Sequence, residues 1–135
     1  MSIEFKEIQK LFGELQGRKP HLFPEKGKPR LENDAKDREL DRQGVYIIRS
    51  RRKIVLHVGR TLCRSDGLRG RFNAHLGSGQ SSFTNDRFDG DGSRLRKYGY
   101  TYQFLVVEND EKRAILEAYA TGKLCPRHIG IGRRR

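Results

Sequence analysis

Basic side chains are concentrated in one segment of the chain, and the chemistry they offer is the binding of phosphate groups. Residues 44–76 hold eight lysines and arginines against one acid, within a formal net charge of +12 for all 135 residues. The eight are Arg49, Arg51, Arg52, Lys53, Arg60, Arg64, Arg69 and Arg71. Each such cation releases condensed counterions when it meets a phosphate, so the segment favours a nucleic-acid partner. A merely solubilising basic surface, or nonspecific binding, is the alternative.

The sequence around this basic segment predicts short strands. Residues 45–48 and 54–58 are β-branched runs separated by polar residues, which indicates a hairpin even though the turn lacks an Asn-Gly pair. Residues 102–107 form a third run of the same kind. The expected core is therefore a small three-stranded antiparallel sheet.

Three segments have apolar residues at helical spacing. Residues 3–16 predict an amphipathic helix, and residues 68–76 predict a second helix after a candidate N-cap at Ser65 or Asp66. A third helix is expected from Asn109 or Asp110 to about residue 121, with Gly122 as its end and a stripe of Ile115, Leu116 and Tyr119. The predicted fold class is α/β, of the α+β kind, with helices flanking the sheet and an N-terminal helical extension.

Two segments lack a regular pattern. Residues 17–43 contain three prolines among mixed charges, which indicates an irregular connection with a short helix over residues 34–40. Residues 77–93, rich in Gly, Ser, Asn and Asp, are expected to form a long loop that is either functional or disordered. We therefore divide the chain into an N-terminal helix and charged, proline-containing extension (1–43), a core domain (44–130) and a basic tail (131–135).

Two tripeptides lie on the predicted hairpin. Gly-Val-Tyr occupies residues 44–46 and His-Val-Gly occupies residues 57–59, with ten residues between Tyr46 and His57. The pair resembles the tripeptides that name the GIY-YIG nuclease family, with His57 where the second tyrosine usually lies. Residues 68–76 look like the arginine helix of that family, and residues 116–118 with 124–127 look like its glutamate helix and the turn after it. The resemblance spans residues 44–130 and implies the fold of these nucleases.

The resemblance implies a role for five side chains in phosphodiester hydrolysis. Tyr46 matches the tyrosine whose phenol positions or deprotonates the attacking water, and Arg71 matches the arginine that steadies the scissile phosphate. Glu117 matches the glutamate that binds one divalent cation, and a carboxylate suits Mg²⁺ or Mn²⁺. His57 and His75 would complete a proton relay with Tyr46. The ordinary alternatives are a half-buried strand aromatic, solvated charges and a structural histidine.

Two positions depart from the pattern of the family. His57 replaces a tyrosine, and because an imidazole titrates near pH 6.5 rather than about 10, it could act as a base at neutral pH. Alternatively it keeps only the hydrogen-bonding role of the ring. His128 lies where the family commonly has an asparagine. The histidines and cysteines of the chain have spacings that fit no compact zinc motif.

Further basic residues are expected to contact nucleic acid. Arg60 directly follows the second tripeptide, and Arg51, Lys53 and Arg69 belong to the same basic segment. DNA is the expected substrate, and RNA is not excluded. A homodimer or a protein partner would be a source of selectivity for so small a domain.

Composition also indicates where the chain works. No stretch approaches the roughly 20 apolar residues that cross a membrane, and the amphipathic N-terminus contains acids, so it does not resemble a signal peptide. Cys63 and Cys125 are isolated, which indicates free thiols in a reducing compartment. The expected location is the cytoplasm.

Two functions remain open on the sequence. The prediction is a metal-dependent endonuclease acting on DNA. The alternative is a nucleic-acid-binding module of the same fold that has lost catalysis through the changes at His57 and at the asparagine position. A third reading is a basic protein that binds no nucleic acid, in which the tripeptides are coincidental.

Overall fold

A four-stranded antiparallel sheet forms the centre of the structure, a computed structural model that describes residues 3–31, 35–62, 66–77 and 80–128. The three predicted strands are present as β2 (Gly44–Arg49), β3 (Val55–Arg60) and β4 (Thr101–Val106). A further strand, β1 (His21–Leu22), pairs with β4, so that the spatial order is β1-β4-β2-β3. The prediction of three strands was therefore wrong by one, because two residues are too few to show an alternating pattern.

Four α-helices and two 3-10 helices surround the sheet in the described part of the chain. The α-helices are α1 (Phe5–Gly17), α2 (Gly67–Leu76), α3 (Ser82–Phe88) and α4 (Asp110–Leu124), and the 3-10 helices span Ala35–Asp41 and Gly92–Arg96. The three predicted α-helices are thus present, and the short helix expected over residues 34–40 is the first 3-10 helix. Within the described ranges, no helix is both long enough and apolar enough to cross a membrane.

The segment predicted as a long loop, residues 77–93, contains helix α3 and the start of the second 3-10 helix. Ser81 caps α3, since its Oγ accepts a hydrogen bond from the Thr84 N–H at 3.0 Å, and Asp89 ends the helix in the left-handed conformation. Asp91 caps the 3-10 helix by accepting from the Ser93 N–H at 3.1 Å. The loop prediction was wrong because the small polar residues act as helix caps here.

The start of α2 and the end of α4 can be compared with the boundaries predicted from the sequence. The candidate N-cap Ser65 lies outside the described residues, and Asp66 precedes α2 without a capping hydrogen bond from its side chain. Helix α4 continues through Gly122 and ends at Cys125, which has a φ of 47° and donates its N–H to Thr121 O at 2.9 Å. Gly122 is therefore not the helix end. Cys125 is an exposed free thiol, as predicted, and Cys63 lies outside the described residues.

The two faces of the sheet carry separate apolar clusters. One cluster contains Tyr46 and Ile48 and joins the sheet to α2, and the other contains Val45 and Ile47 and joins it to α1 and α4. Residues of the proline-containing connection also belong to the first cluster, namely Phe23, Leu31 and Leu40. The predicted extension over residues 1–43 is therefore packed into the same core as the sheet.

A buried arginine fixes the position of α4 against the strand ends. The Arg113 side chain is 1% exposed, and its Nε donates to Thr61 O at 2.9 Å, just beyond β3. Its Nη1 donates to Val107 O at 2.9 Å and to Glu108 O at 3.1 Å, just beyond β4. An ion pair with Asp110 completes the set. One guanidinium thus satisfies three backbone carbonyls that the strands leave unpaired.

This orientation of α4 corrects the predicted apolar stripe. Ile115 is 38% exposed, whereas Arg113, Leu116 and Ala120 are buried. The stripe prediction was wrong at Ile115 because the helix turns the long arginine inward, where its donors meet the strand-end carbonyls.

We expect Arg113→Met to lower the free energy of unfolding by about 3–5 kcal/mol, because it leaves several buried carbonyls and the Asp110 charge without a partner. Urea unfolding followed by circular dichroism measures the change. Lys123→Met, which removes an exposed charge from the same helix, should change the stability by less than about 0.5 kcal/mol. Equal effects of the two substitutions would contradict the structural role of Arg113.

Candidate active site

Residues from five elements line one cleft at the β3 edge of the sheet, with a volume of about 710 Å³. Tyr46 and Glu117 both line it, although they are 71 positions apart in the chain. The cleft brings together all five side chains that the resemblance assigns to catalysis. They are Tyr46 from β2, His57 from β3, Arg71 and His75 from α2, and Glu117 from α4.

Tyr46 lies across Gly59, its partner on the neighbouring strand. A Cβ atom placed on Gly59 would lie 2.5 Å from Cζ of Tyr46 and 3.0 Å from Nε2 of His57, closer than packed side chains approach. The phenol is buried, with 1% of the residue exposed. The glycine of the second tripeptide therefore provides the space in which the first tyrosine reaches the cleft.

His75 connects the phenol to the cap of α3. The Tyr46 hydroxyl lies 2.7 Å from His75 Nε2, and His75 Nδ1 lies 2.6 Å from Ser81 Oγ. The imidazole of His75 thus bridges two hydroxyl groups, one from β2 and one at the start of α3, and each of these hydroxyls can donate or accept.

A bulge in β3 precedes His57. The ladder pairs Ile48 with His57 and Arg49 with Val55, so Leu56 has no partner in it. Bulges of this kind bend an edge strand and change the direction of a side chain, often beside an active site. The bulge places the Leu56 side chain in the core while His57 lines the cleft.

His57 is held between an aromatic ring and a second histidine. Its ring stacks on Phe83 with centroids 4.9 Å apart, and its Nδ1 lies 3.1 Å from Nδ1 of His128. His128 reaches this place because its backbone N–H donates to Leu56 O at 2.8 Å, parallel to β3. Asp86 accepts from Nε2 of His128 at 3.1 Å. The His57 ring is thus in contact with a second imidazole whose other nitrogen is bonded to Asp86.

Burial decides the protonation of the site. It raises the pKa of Tyr46 to about 12, although the charge of Arg71 and a hydrogen bond from it both act to lower that pKa. Burial also lowers the pKa of His57 to about 3, with further contributions from His128 and Arg71, and lowers the pKa of His75 well below its usual value. Both histidines are therefore neutral at pH 7, and His57 is a weaker base than an unperturbed imidazole would be.

Glu117 faces an arginine across the cleft. Its Oε1 accepts from Nε of Arg60 at 3.0 Å, and both side chains are about one third exposed. The carboxylate is an acceptable ligand for Mg²⁺, but one of its oxygens is engaged by Arg60. Among the described residues, no group of three or more His, Cys, Asp or Glu side chains is arranged to hold a metal. Glu117, the predicted metal ligand, therefore belongs to no such group among the described residues.

The remaining residues predicted to contact nucleic acid lie in different places. Arg60 lines the cleft, while Arg51 and Lys53 are exposed in the turn between β2 and β3. Arg69 lies away from the cleft, where its guanidinium forms ion pairs with Asp37 and Asp41 and also donates to backbone oxygens of the connection. Its side chain therefore holds the connection against α2, which leaves it poorly placed to bind phosphate.

Two contributors to the site were missed in the sequence because they lie in the predicted loop. Ser81 supports His75, and Phe83 packs against both His57 and His75. A signal for them was present, since Ser81 followed by Phe83 and Phe88 has the pattern of a capped helix with an apolar face.

Comparison of the chain with protein-family models and with curated proteins finds no match in either case. What the chain does is therefore inferred from the residues of the cleft and from their chemistry.

We expect Gly59→Ala to lower the free energy of unfolding by about 1–3 kcal/mol, because the new methyl group overlaps the Tyr46 ring. Urea unfolding measures this change. Gly122→Ala is the matched control, since a methyl group there meets no atom within 4 Å and replaces a glycine inside helix α4. The control should raise the stability by roughly 1 kcal/mol. Stabilisation of the protein by both substitutions would contradict the close contact of Tyr46 and Gly59.

The neutral histidines predict a loss of stability in acid. The pKa of His57 is about 3 in the folded chain and 6.5 for an unperturbed imidazole, so between these pH values the unfolded chain binds a proton that the folded chain does not. The stability is therefore complete above about pH 6.5 and falls as the pH decreases towards 3, by up to about 1.4 kcal/mol per pH unit for each such histidine.

We expect His57→Asn to make the free energy of unfolding less dependent on pH, because one fewer proton is taken up on unfolding. Urea unfolding at several pH values between 4 and 7.5 measures this slope. Thr121→Ala, which alters the cleft without removing a titrating group, should leave the slope unchanged. Parallel curves for the wild type and His57→Asn would show that His57 is not held neutral.

Proposed function

We propose that the chain is a metal-dependent endonuclease that hydrolyses phosphodiester bonds in DNA, with an active site of the GIY-YIG type. The observation that carries the proposal is the convergence of Tyr46, Arg71 and Glu117 on one cleft from three separate elements. The resemblance assigns these residues to the water, the phosphate and the metal. Their convergence is not expected of a basic protein in which the tripeptides are coincidental.

The order of the elements supports the same proposal. The β2–β3 hairpin is followed by α2, β4 and α4, which is the order that the resemblance implies. Strand β1 and helix α3 are additions to this set, and α3 contributes Phe83 to the cleft. The additions cover the sheet and the cleft without displacing the five matched residues.

Two arginines are suited to bind the phosphate. Arg71 is half-buried beside Tyr46, and Arg60 lies across the cleft next to Glu117. A guanidinium presents two parallel donors to the oxygens of a phosphodiester, and the partly buried position of Arg71 reduces the screening of its charge by water. In this arrangement Arg71 holds the scissile phosphate, and Arg60 exchanges its carboxylate partner for a phosphate oxygen.

The phenol and the histidines are suited to guide the attacking water. Since the pKa of Tyr46 is about 12, the phenol keeps its proton at neutral pH and acts as a hydrogen-bonding group. Its hydroxyl, 2.7 Å from His75 Nε2, would help to orient the attacking water. A bound phosphodiester adds negative charge and so raises the pKa of both histidines. They become better acceptors for the proton that the water releases.

Glu117 would hold the divalent cation, Mg²⁺ or Mn²⁺. Because Arg60 engages one carboxylate oxygen, we expect the cation to bind more readily once Arg60 has turned to the phosphate. Water and phosphate oxygens would complete the coordination, which suits Mg²⁺ because it usually keeps several waters. When bound, the cation supplies charge neutralisation at the nonbridging and leaving oxygens.

A nucleic-acid-binding module without catalysis is the second candidate. The observation that favours it is the same Arg60–Glu117 ion pair. Arg60 Nε lies 3.0 Å from Glu117 Oε1 and so occupies one oxygen of the predicted metal ligand. The low pKa of His57 acts in the same direction, because it weakens the imidazole as a base. Such a module would bind DNA in a salt-sensitive manner and leave it uncut.

We expect Glu117→Gln to reduce nicking of supercoiled plasmid by at least about 100-fold in Mg²⁺ or Mn²⁺, because loss of one group that stabilises transition-state charge commonly has this effect. Conversion of supercoiled to relaxed plasmid measures the rate. Glu111→Gln is the matched control, since Glu111 is an exposed acid in the first turn of the same helix. Nicking that persists unchanged in Glu117→Gln would rule out this active site.

Calorimetric titration with Mn²⁺ separates the two candidate functions. An endonuclease should bind Mn²⁺ in the wild type and lose that binding in Glu117→Gln. Salt-sensitive DNA binding with no Glu117-dependent Mn²⁺ binding would instead support the non-catalytic module.

A further inference from the structure

A second cavity lies beside the β2–β3 turn and combines arginines with exposed aromatic and apolar side chains. Its volume is about 220 Å³, and four arginines line it, with no acid among the lining residues. They are Arg51, Arg52, Arg87 and Arg127. None of the ion pairs in the described part of the chain involves any of the four, and all four are exposed. These cations are therefore available to a ligand, in contrast to Arg69 and Arg113.

The turn that carries two of these arginines is held in one conformation. The Lys53 N–H donates to Ser50 O at 2.8 Å, and the Ser50 hydroxyl accepts from the N–H groups of Arg52 and Ile54, both at 3.2 Å. Lys53 has a φ of 68°, the left-handed position of a three-residue hairpin loop. Because these bonds already order the backbone of the turn, binding of a ligand to Arg51 and Arg52 costs little further backbone entropy.

Tyr98 lines the same cavity and is unusual in its exposure and in its backbone conformation. It is 65% exposed, and its backbone has a φ of 65°, a region that a bulky residue rarely adopts. Strain of this kind persists where the surrounding structure enforces it and is concentrated at functional sites. Gly99 follows with a φ of 78° and lies against the Arg51 side chain. An exposed aromatic side chain thus lines the same cavity as the four arginines.

The cavity adjoins the cleft along β3. Leu56 lines the cavity, and the next residue, His57, lines the cleft. In the C-terminal segment, Arg127 lines the cavity and His128 lines the cleft. From Ile54 to His57 the chain extends over at most about 10 Å, which is the rise of about three stacked nucleotides. A strand whose phosphate lies in the cleft can therefore place a neighbouring nucleotide in the cavity.

We propose that this cavity binds an unpaired nucleotide of the DNA strand, a few positions from the scissile phosphate. The base stacks on Tyr98, which is sequence-tolerant because every base has a flat face, and the arginines hold the adjoining phosphates. Bases inside a duplex are not available for such stacking. The inference rests on the proposed function, and it names the substrate as DNA with a single-stranded segment beside the cut.

Fluorescence anisotropy with a labelled 12-nucleotide single strand and the matching duplex tests this inference, in EDTA so that binding is measured without cleavage. We expect Tyr98→Ala to weaken binding of the single strand about tenfold and that of the duplex by less than about twofold. Tyr98→Phe should bind like the wild type, because the aromatic face is kept. Phe5→Ala, which removes another exposed aromatic side chain, should have no effect on either DNA.

Salt dependence tests the arginines separately. Arg52→Ala should reduce the slope of log binding constant against log salt concentration by about 0.7 for the single strand, the value for one phosphate contact. Arg30→Ala removes an exposed arginine from the connection and should leave the slope unchanged.

Equal losses for single strand and duplex, or no loss, in Tyr98→Ala would overturn the inference. If Glu117-dependent nicking is then still observed, the proposed function stands and the nucleotide site does not. If Tyr98-dependent binding is observed without Glu117-dependent nicking, the cavity binds single strands and the proposed enzyme is wrong.

Discussion

The contact of the Tyr46 ring with Gly59 is the constraint on which the cleft depends. The two residues are partners across the β2–β3 ladder, so the register of the hairpin and the position of the phenol are set by the same contact. A shift by one residue would turn Tyr46 to the opposite face, where α1 and α4 pack. The hydrogen bond between the Tyr46 hydroxyl and His75 then joins the hairpin to α2, and the contact of His75 with Ser81 joins α2 to α3. The hairpin, α2 and α3 are thereby joined through the His75 side chain.

Burial and one ion pair determine the charges in the cleft. His57 and His75 are kept neutral by burial, and Arg71 and His128 make their protonation still less favourable. Arg60 is neutralised by Glu117 at the entrance. A phosphodiester would reverse each of these tendencies at once, because its charge attracts both arginines and favours protonated imidazole. Under the proposed function, the histidines that cost stability in acid would thus respond to the bound phosphodiester.

The arginines of this chain fall into different physical roles that their sequence positions do not distinguish. Arg113 is enclosed and bonded to strand-end carbonyls, and Arg69 joins the proline-containing connection to α2. Arg71 faces the cleft, and Arg51 and Arg52 face the second cavity. The net positive charge of the chain therefore overestimates the charge that is accessible to a ligand, because some arginines are already paired within the fold. The pairing determines which surface remains basic.

The sequence by itself determined the hairpin and helices α1, α2 and α4, because β-branched runs and helical spacing are local patterns. The five side chains that meet in the cleft were expected only from the resemblance to a nuclease family. Tertiary structure alone decided that Arg113 is inside and Ile115 outside, since that depends on which carbonyls the strand ends leave unpaired. It also decided that Phe83 and His128 enclose His57, and that burial lowers the pKa of His57 to about 3. Burial and partners at long range have no local pattern, because they arise where distant segments pack together.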